Sequence, residues 1–584
     1  MKLRSLFAFF FCLFLFTPNV FAQAGGLRGR VADPNGAYVP GATVTLVSQG
    51  GAARRTAVTD GNGVYEFTQI APGAYNLQVE KSGFKTESRE NLRVAGESPL
   101  TLDVTLEIGG LGFEQTVVVT ASRSAEELKD APASVSVVSG RDLQVRTAQM
   151  FTGYELVGLP SVYVPKYDEG TYTSLTIRGV PERHHNDTFL ALLDGIPFVT
   201  PGDEIELEFI PIDIVQSVEL VRGPMSALYG RGGVAGAVNY LTRDTPERSH
   251  ATVRLGYGSY NYARPSFNFS VPLKRDRDYL FGSGYFEHKD GWRDRTQRNA
   301  GNFFLKNQWN INDRFALSTY ANYHRYKQGV ASHTPVREDG GLVEVTGGRT
   351  ANYNLDGSAY AKEAWMTTAS LNAVITPRLN LKTTGHYRQS HGFFLGGFNE
   401  GFNEMAGVIS WNGFNGNSAY KTGYIESQLN WQGRRVRLVA GANYERISSR
   451  NLEDWTGEYG FNPATFEFLF YVQKRSYRTG AFTNRAAWVT DRLLDARADV
   501  DVTGSYAQAT VDVTSKLFIT AGARFDYFSR GVNYARTVSG GEVTPASFIE
   551  DSDHHVSPKL SVSYRLTPQV TGYVSFGEGF SPGF

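Results

Sequence analysis

The chain contains a single cysteine, Cys12, among 584 residues. It lies in a leader-like stretch, so the chain beyond Ala22 has none. Disulfide, zinc–thiolate and cysteine-nucleophile chemistry are therefore excluded from that part. There is no excess charge of one sign. Lys+Arg and Asp+Glu both count 58, or 56 against 58 once Lys2 and Arg4 are removed. No net field argues for a nucleic-acid partner. Beyond the leader, no run approaches the ~20 apolar residues that a membrane-crossing helix requires. The sequence also lacks Gly-x-x-x-x-Gly-Lys-Ser/Thr and His-Glu-x-x-His. Neither nucleotide hydrolysis nor zinc-assisted hydrolysis has a motif to stand on, and no resident cofactor is expected.

What is present is β-forming. The chain holds 31 Tyr, 38 Phe and 62 Gly. Residues 1–22 read as a secretory signal. Lys2 and Arg4 form a basic start, Ser5–Phe16 a short apolar core, and Val20-Phe21-Ala22 a small-residue cleavage site. A secreted, aromatic- and glycine-rich, helix-poor chain fits a membrane β-barrel, in which only every second residue faces lipid.

Residues 25–107 alternate in short runs. Pro40–Val47, Val64–Phe67 and Pro72–Val79 read as strands, with turns at Asp33-Pro34-Asn35-Gly36 and Asp60-Gly61-Asn62-Gly63. A small β-sandwich follows. The segment resembles the carboxypeptidase regulatory-like domain, which implies a fold and not a peptidase. Asp60 and Asn62 read as hairpin caps in preference to calcium ligands. Residues 108–125 form a linker. After Gly109, Gly110 and Gly112 comes a β-prone run, Glu114-Gln115-Thr116-Val117-Val118-Val119-Thr120-Ala121. An exposed run of this kind adds a strand to a partner's sheet through main-chain hydrogen bonds. The competing reading is the last strand of the preceding domain.

Residues 126–245 carry the most specific pattern. Thr176-Ile177-Arg178-Gly179, Leu193-Asp194-Gly195-Ile196-Pro197 and Glu219–Gly230 alternate glycine turns with β-branched strands. The last of these contains Arg222, Gly223, Tyr229 and Gly230, and leads into Gly233–Arg243. Their order and spacing resemble the plug domain of TonB-dependent outer-membrane receptors of the ferric-chelate type. Ser139 and Asp142 read as the cap of a short helix, and Leu159–Val164 as a strand. The resemblance makes the run from Glu114 to Thr120 a TonB box. It also implies that Arg178 and Arg222 pair with acidic residues of a barrel wall.

From residue 250 to 584 the period is two. Phe267, Phe269, Val271 and Leu273 share a face, as do Phe303, Leu305, Trp309 and Ile311. Short turns near 312, 377, 433, 515 and 568 alternate with long polar stretches at 328–362, 393–418, 451–500 and 531–555. This is a transmembrane barrel pattern. Trp309 and Trp431 stand where an interfacial girdle would place them. About thirteen strands can be counted, whereas plugged transporters have about 22. The expected fold is mainly β, with a sandwich, a mixed α/β plug and an antiparallel barrel. The barrel is expected to lack several C-terminal strands. A terminal sorting signal at Phe584 is the competing view.

For function, the resemblance implies TonB-driven uptake of a ferric siderophore or other ferric chelate across the outer membrane. The implied partners are TonB with its inner-membrane energising complex, the ferric chelate and outer-membrane lipid. Sandwich and plug would lie on the periplasmic side. Uptake of an oligosaccharide or polymer fragment is the alternative, favoured by the regulatory-like domain. An adhesin or passive porin is a further class. Arg183, His184 and His185 lie between two plug strands and are candidate ligand contacts, with a plain polar loop as the competing reading. Adjacent histidines on an extended segment point oppositely, so no shared metal is expected.

Overall fold

The computed structural model describes residues 25–581 except 34–37, 49–53, 82–86, 95–99, 107–116, 119, 125, 146–152, 165–174, 181–187, 200–206, 208–209, 244–248, 275–276, 332–335, 338, 355–356, 404–407, 457, 463–466, 472, 477–481, 485–491, 538–542 and 568–569. The chain forms two compact units, Met1–Thr116 and Val117–Phe584.

In the first unit two sheets face each other. In one, Gly25–Ala32 runs antiparallel to Val64–Ile70 and parallel to Leu100–Thr101 and Val104–Thr105. The other has the order Arg54–Val58, Thr43–Ser48, Gly73–Glu80, Glu87–Val94, all antiparallel. Alternate residues turn inward, so Leu27, Val31, Val44, Leu46, Leu77 and Val79 close one core. The Asp60 carboxylate accepts from the amides of Asn62 (2.9 Å) and Val64 (2.8 Å), the hairpin cap expected of it.

The second unit begins with a mixed five-stranded sheet. Its order is Ser134–Val138, Val215–Arg222, Gly236–Thr242, Phe189–Leu193, Ile196–Pro197. Phe189–Leu193 is apolar throughout and wholly buried, as a strand covered on both faces must be. It runs parallel to Gly236–Thr242. The helix Gly140–Val145 starts at Ser139, whose hydroxyl lies 2.8 Å from the Asp142 carboxylate while the Asp142 amide returns to Ser139 Oγ at 3.3 Å. The strand expected over Leu159–Val164 is shorter. Ser161 stands at φ 58°, so only Val162–Tyr163 is extended and pairs with Thr176–Ile177.

Among the described residues thirteen strands then form the main path of one antiparallel sheet, from His250–Gly258 to Thr571–Gly577, with Gln473–Ser476 and Phe482–Asn484 attached off that path. Outward residues are exposed, among them Phe303, Trp309, Tyr323 and Trp431. Inward residues such as Phe304, Tyr320, Asn322 and His324 are buried. The polar stretches at 393–418, 451–500 and 531–555 are not mainly loops, contrary to expectation. Leu379–Asn403 pairs with Val408–Gln432, and Leu517–Thr537 with Val543–Arg565, each from end to end with one irregularity. Above the lipid a ladder needs no apolar face, so its hydrogen bonds continue through polar sequence. Among the described residues the two end strands each have one partner and do not pair with one another.

Candidate functional site: where plug, wall and coupling segment meet

Val117–Val118 pairs with Glu126–Glu127, two residues against two, antiparallel. The chain then turns inward. Val118, Thr120 and Ala121 are fully buried. The Thr120 amide donates to Glu219 Oε2 at 2.8 Å, and its hydroxyl donates to the same oxygen. Asn239 Nδ2 donates to Thr120 Oγ1 at 2.9 Å, and Asn239 Oδ1 accepts from the Gly195 amide at 3.0 Å. Glu219 and Asn239 sit opposite each other on the two central strands. A hydrogen-bonded line thus crosses the sheet from the Gly195 turn to Thr120. Thr120, Glu219 and Asn239 are buried, so a bond broken between them without water would leave a costly orphan.

Three residues on, Arg123 adopts φ 58° and lies against two rings, 4.2 Å from the centroid of Tyr229 and 4.4 Å from that of Tyr506. Its guanidinium pairs with Glu426 and donates to the Tyr506 hydroxyl at 2.8 Å. Its carbonyl accepts from Gln428 at 3.0 Å. Tyr229 belongs to the plug; Glu426, Gln428 and Tyr506 stand on barrel strands. Lys559 Nζ donates to the Ala121 carbonyl at 3.0 Å. Arg565 grips Asp130 through two 3.0 Å bonds. The segment from Thr120 to Asp130 is therefore tied to the plug sheet and to the barrel wall at once.

Further bolts join plug and wall. Arg231 meets Glu445 at 3.2 Å, and Arg264 pairs with Asp213. Lys306 donates to Thr242 Oγ1 and the Arg243 carbonyl, both at 3.0 Å. Gly230 stands at φ 85°, where a Cβ would come within 3.0 Å of Arg524 Nε. A side chain there would displace Arg524 from the Asp526 carboxylate it holds at 2.7 Å.

Against known proteins, residues 26–107 match the carboxypeptidase regulatory-like domain, 127–237 the TonB-dependent receptor plug domain and 451–584 the TonB-dependent receptor-like β-barrel. The chain belongs to the TonB-dependent receptor family. Its place is the outer membrane, as a receptor of a transport family and not of an enzyme class. The vitamin B12 transporter BtuB of Vibrio vulnificus is 29% identical over 242 residues, 40% of this chain and 39% of that protein. The iron-regulated outer membrane virulence protein of Vibrio cholerae is 33% identical over 178 residues, 27% of this chain and 26% of that one. Two solved structures share the fold. The siderophore receptor PiuA from Acinetobacter baumannii has a TM-score of 0.62 at 17% identity, covering 78% of this chain and 66% of that one. The ferripyoverdine receptor of Pseudomonas aeruginosa has a TM-score of 0.63 at 16% identity, covering 82% and 62%. The receptor chain thus spans about two fifths or less of these curated relatives.

The residues singled out from the receptor's sequence fall as follows. Of the run proposed as a TonB box, Glu114, Gln115, Thr116 and Val119 lie outside the described residues. Its far end is not an exposed strand, because Val118 and Thr120 pack into the plug. Arg222 is buried, and its Nε donates to the Pro160 carbonyl at 3.0 Å. Among the described residues neither it nor the exposed Arg178 pairs with a carboxylate; the wall contacts belong to Arg123 and Arg231. Burial and then the neighbouring Arg178 push the Arg222 guanidinium below its ordinary range. Asp194, at φ 52° before Gly195 at 84°, accepts from the amide and hydroxyl of Thr242, both at 2.8 Å. Gly179 and Gly223 also take positive φ, at 72° and 105°. Arg183, His184 and His185 lie outside the described residues. Sequence reading missed Arg123, Glu426 and Tyr506, and quoted Glu219 and Asn239 within the plug pattern without giving either a role. Arg123 and Glu426 are 303 positions apart, and no local motif marks either.

Proposed function

We propose that the chain takes part in energy-dependent uptake of a ferric siderophore or other ferric chelate across the outer membrane. A TonB-type partner would engage the run from Glu114 to Thr120. One observation supports the reading: the last residue of that run, Thr120, is bonded to the plug sheet through Glu219, and Arg123 just after it is bonded to the wall through Glu426 and Tyr506. A pull on it therefore loads both the plug and its seat. The cargo class is supported by the Arg178-Gly179 and Leu193-Asp194-Gly195 turns, which resemble ferric-chelate receptors. Arg183, His184 and His185 are the proposed contacts. An oligosaccharide is the second cargo, favoured by the regulatory-like domain at residues 26–107. The test is growth of a deletion strain, complemented with this gene, on a panel of iron chelates and glycans with and without a proton gradient. Gradient-dependent growth on a chelate is expected. Growth on glycans alone would transfer the cargo to the second class, and gradient-independent uptake would make the protein a passive porin.

A further inference from the structure

The segment that follows the last barrel strand has no part in the uptake reading. Thr571–Gly577 runs beside Val543–Arg565, and its final pair is Gly577 with Lys559. The Glu578 amide still bonds the Pro558 carbonyl of the wall, at 3.3 Å. The chain then turns to the plug. Phe580 has both of its main-chain groups there: its amide donates to Ser226 Oγ at 2.9 Å, and its carbonyl accepts from the Gly232 amide at 2.8 Å. Its ring stays with the wall. It stacks on His555, with centroids 4.1 Å and planes 6° apart, and its centroid lies 5.3 Å from that of Phe528. Both partners stand on barrel strands, and Phe528 is fully buried. Gly579 permits the approach. A Cβ there would stand 2.6 Å from Val234 Cα, a backbone atom that no side-chain rotation can move aside.

The stretch of plug gripped in this way is the one that bears Tyr229. Ser226–Tyr229 is a single helical turn, and Gly230, Gly232 and Gly233 follow it. Gly230 and Gly232 take positive φ, at 85° and 83°. A turn so rich in glycine has much backbone freedom to lose, so its shape depends on what touches it from outside. Phe580 bonds it near both ends, at Ser226 and at Gly232. Between those two points the Tyr229 ring lies 4.2 Å from the Arg123 guanidinium. Lys559, beside which the last strand ends, donates to the Ala121 carbonyl. Glu578–Phe580 and the coupling segment therefore meet on the same short stretch of plug. A residue that bonds one body with its backbone and stacks on the other with its side chain passes displacement between the two.

We propose that Phe580 is a positioning residue, a latch carried by the wall that fixes the Ser226–Gly233 turn and so keeps Tyr229 against Arg123. Release of the latch loosens the Arg123 clamp with no change in the coupling segment itself. The wall thereby sets how firmly the coupling run is held, a role that rests on the uptake reading for its purpose and on Phe580 for its mechanism.

The test is thiol labelling at Val118→Cys in the full chain, which has no other cysteine after Cys12. It is run in outer membranes with no cargo and no energised partner, so failure of the uptake reading would leave its result intact. Folding of every variant is checked by heat-modifiable mobility. Phe580→Ala removes the ring and should accelerate labelling about tenfold, the equivalent of one buried aromatic contact. Gly579→Val forces the two backbones apart and should do at least as much; if it does not fold, Phe580→Ala decides. Phe576→Ala, at an exposed position on the same strand, should leave the rate unchanged. In Arg123→Ala, where the clamp is already open, adding Phe580→Ala should change the rate by about twofold at most. An unchanged rate in folded Phe580→Ala or Gly579→Val overturns the proposal. So does a further gain in Arg123→Ala as large as that in the parent, because Phe580 would then be an independent packing contact. Equal acceleration in Phe576→Ala overturns it too, because general loosening of the wall would then be the cause.

Discussion

Arg123 is the residue on which most lines converge. Its charge is balanced by one carboxylate, and two aromatic rings lie within 4.4 Å of it. Arg123→Ala would leave the part-buried Glu426 without its cation, at a cost of about 3 kcal/mol. Arg123→Lys should recover only part, since an ammonium lacks the planar fork that meets Glu426 and the Tyr506 hydroxyl together. The measurement is thiol labelling at Val118→Cys, a clean reporter because the chain has no cysteine after Cys12. Labelling is expected to accelerate on the order of 100-fold in Arg123→Ala; an unchanged rate would show that the clamp does not hold the segment. Glu126 supplies the pH response. Burial raises its carboxyl above the ordinary value, opposed by a hydrogen bond from Ser122 and by Lys559 and Arg437, with Asp130 adding to the rise. The folded segment therefore keeps a proton that the opened segment releases. Its stability is full below about 4.5, the opened-state value, and falls as pH rises through the folded value. Compared with Glu126→Gln at each pH, the parent should label more slowly near pH 5 than near pH 8. A ratio constant with pH would remove Glu126 as the cause.

At the scale of elements, strand addition by the coupling run makes a sharp prediction. Thr116→Pro removes a main-chain donor that Thr116→Ala retains, so proline should depress uptake much more while leaving surface binding of ligand intact. Equal loss in a transport assay would assign recognition to side chains. Val118→Pro tests this less cleanly, because Val118 already pairs with Glu126. The barrel strands were legible in the sequence wherever lipid imposed a period of two, as at Phe267–Leu273 and Phe315–Tyr323. They were illegible at Asn399–Asn403 and Val543–Glu550, where no apolar face is needed and polar sequence looks like loop. The plug turns were legible because Asp194-Gly195 and Arg222-Gly223 advertise positive φ. The bolts were not. Asp213–Arg264 and Arg123–Glu426 are fixed by how plug and wall nest, and ordinary charged residues carry no local sign of that.

At the scale of the molecule, residues 25–107 close their own core, with Leu27, Tyr65 and Leu77 all but inaccessible. A receptor lacking them should bind ligand with unchanged affinity; a tenfold loss in a binding isotherm would show that the domain contributes to the site. In the receptor proper, the two-residue pairing of Val117–Val118 with Glu126–Glu127 has a mechanical meaning. A load applied from the chain's amino-terminal side arrives at the open end of that hairpin. It peels the bonds one at a time, like a zipper, and meets little resistance. Behind it stand the two Thr120 bonds to Glu219, and behind those the Arg123 clamp, whose stack and ion pair must yield together. The segment is thus a graded fuse: a weak tug frees its tip, and only a sustained one reaches the plug.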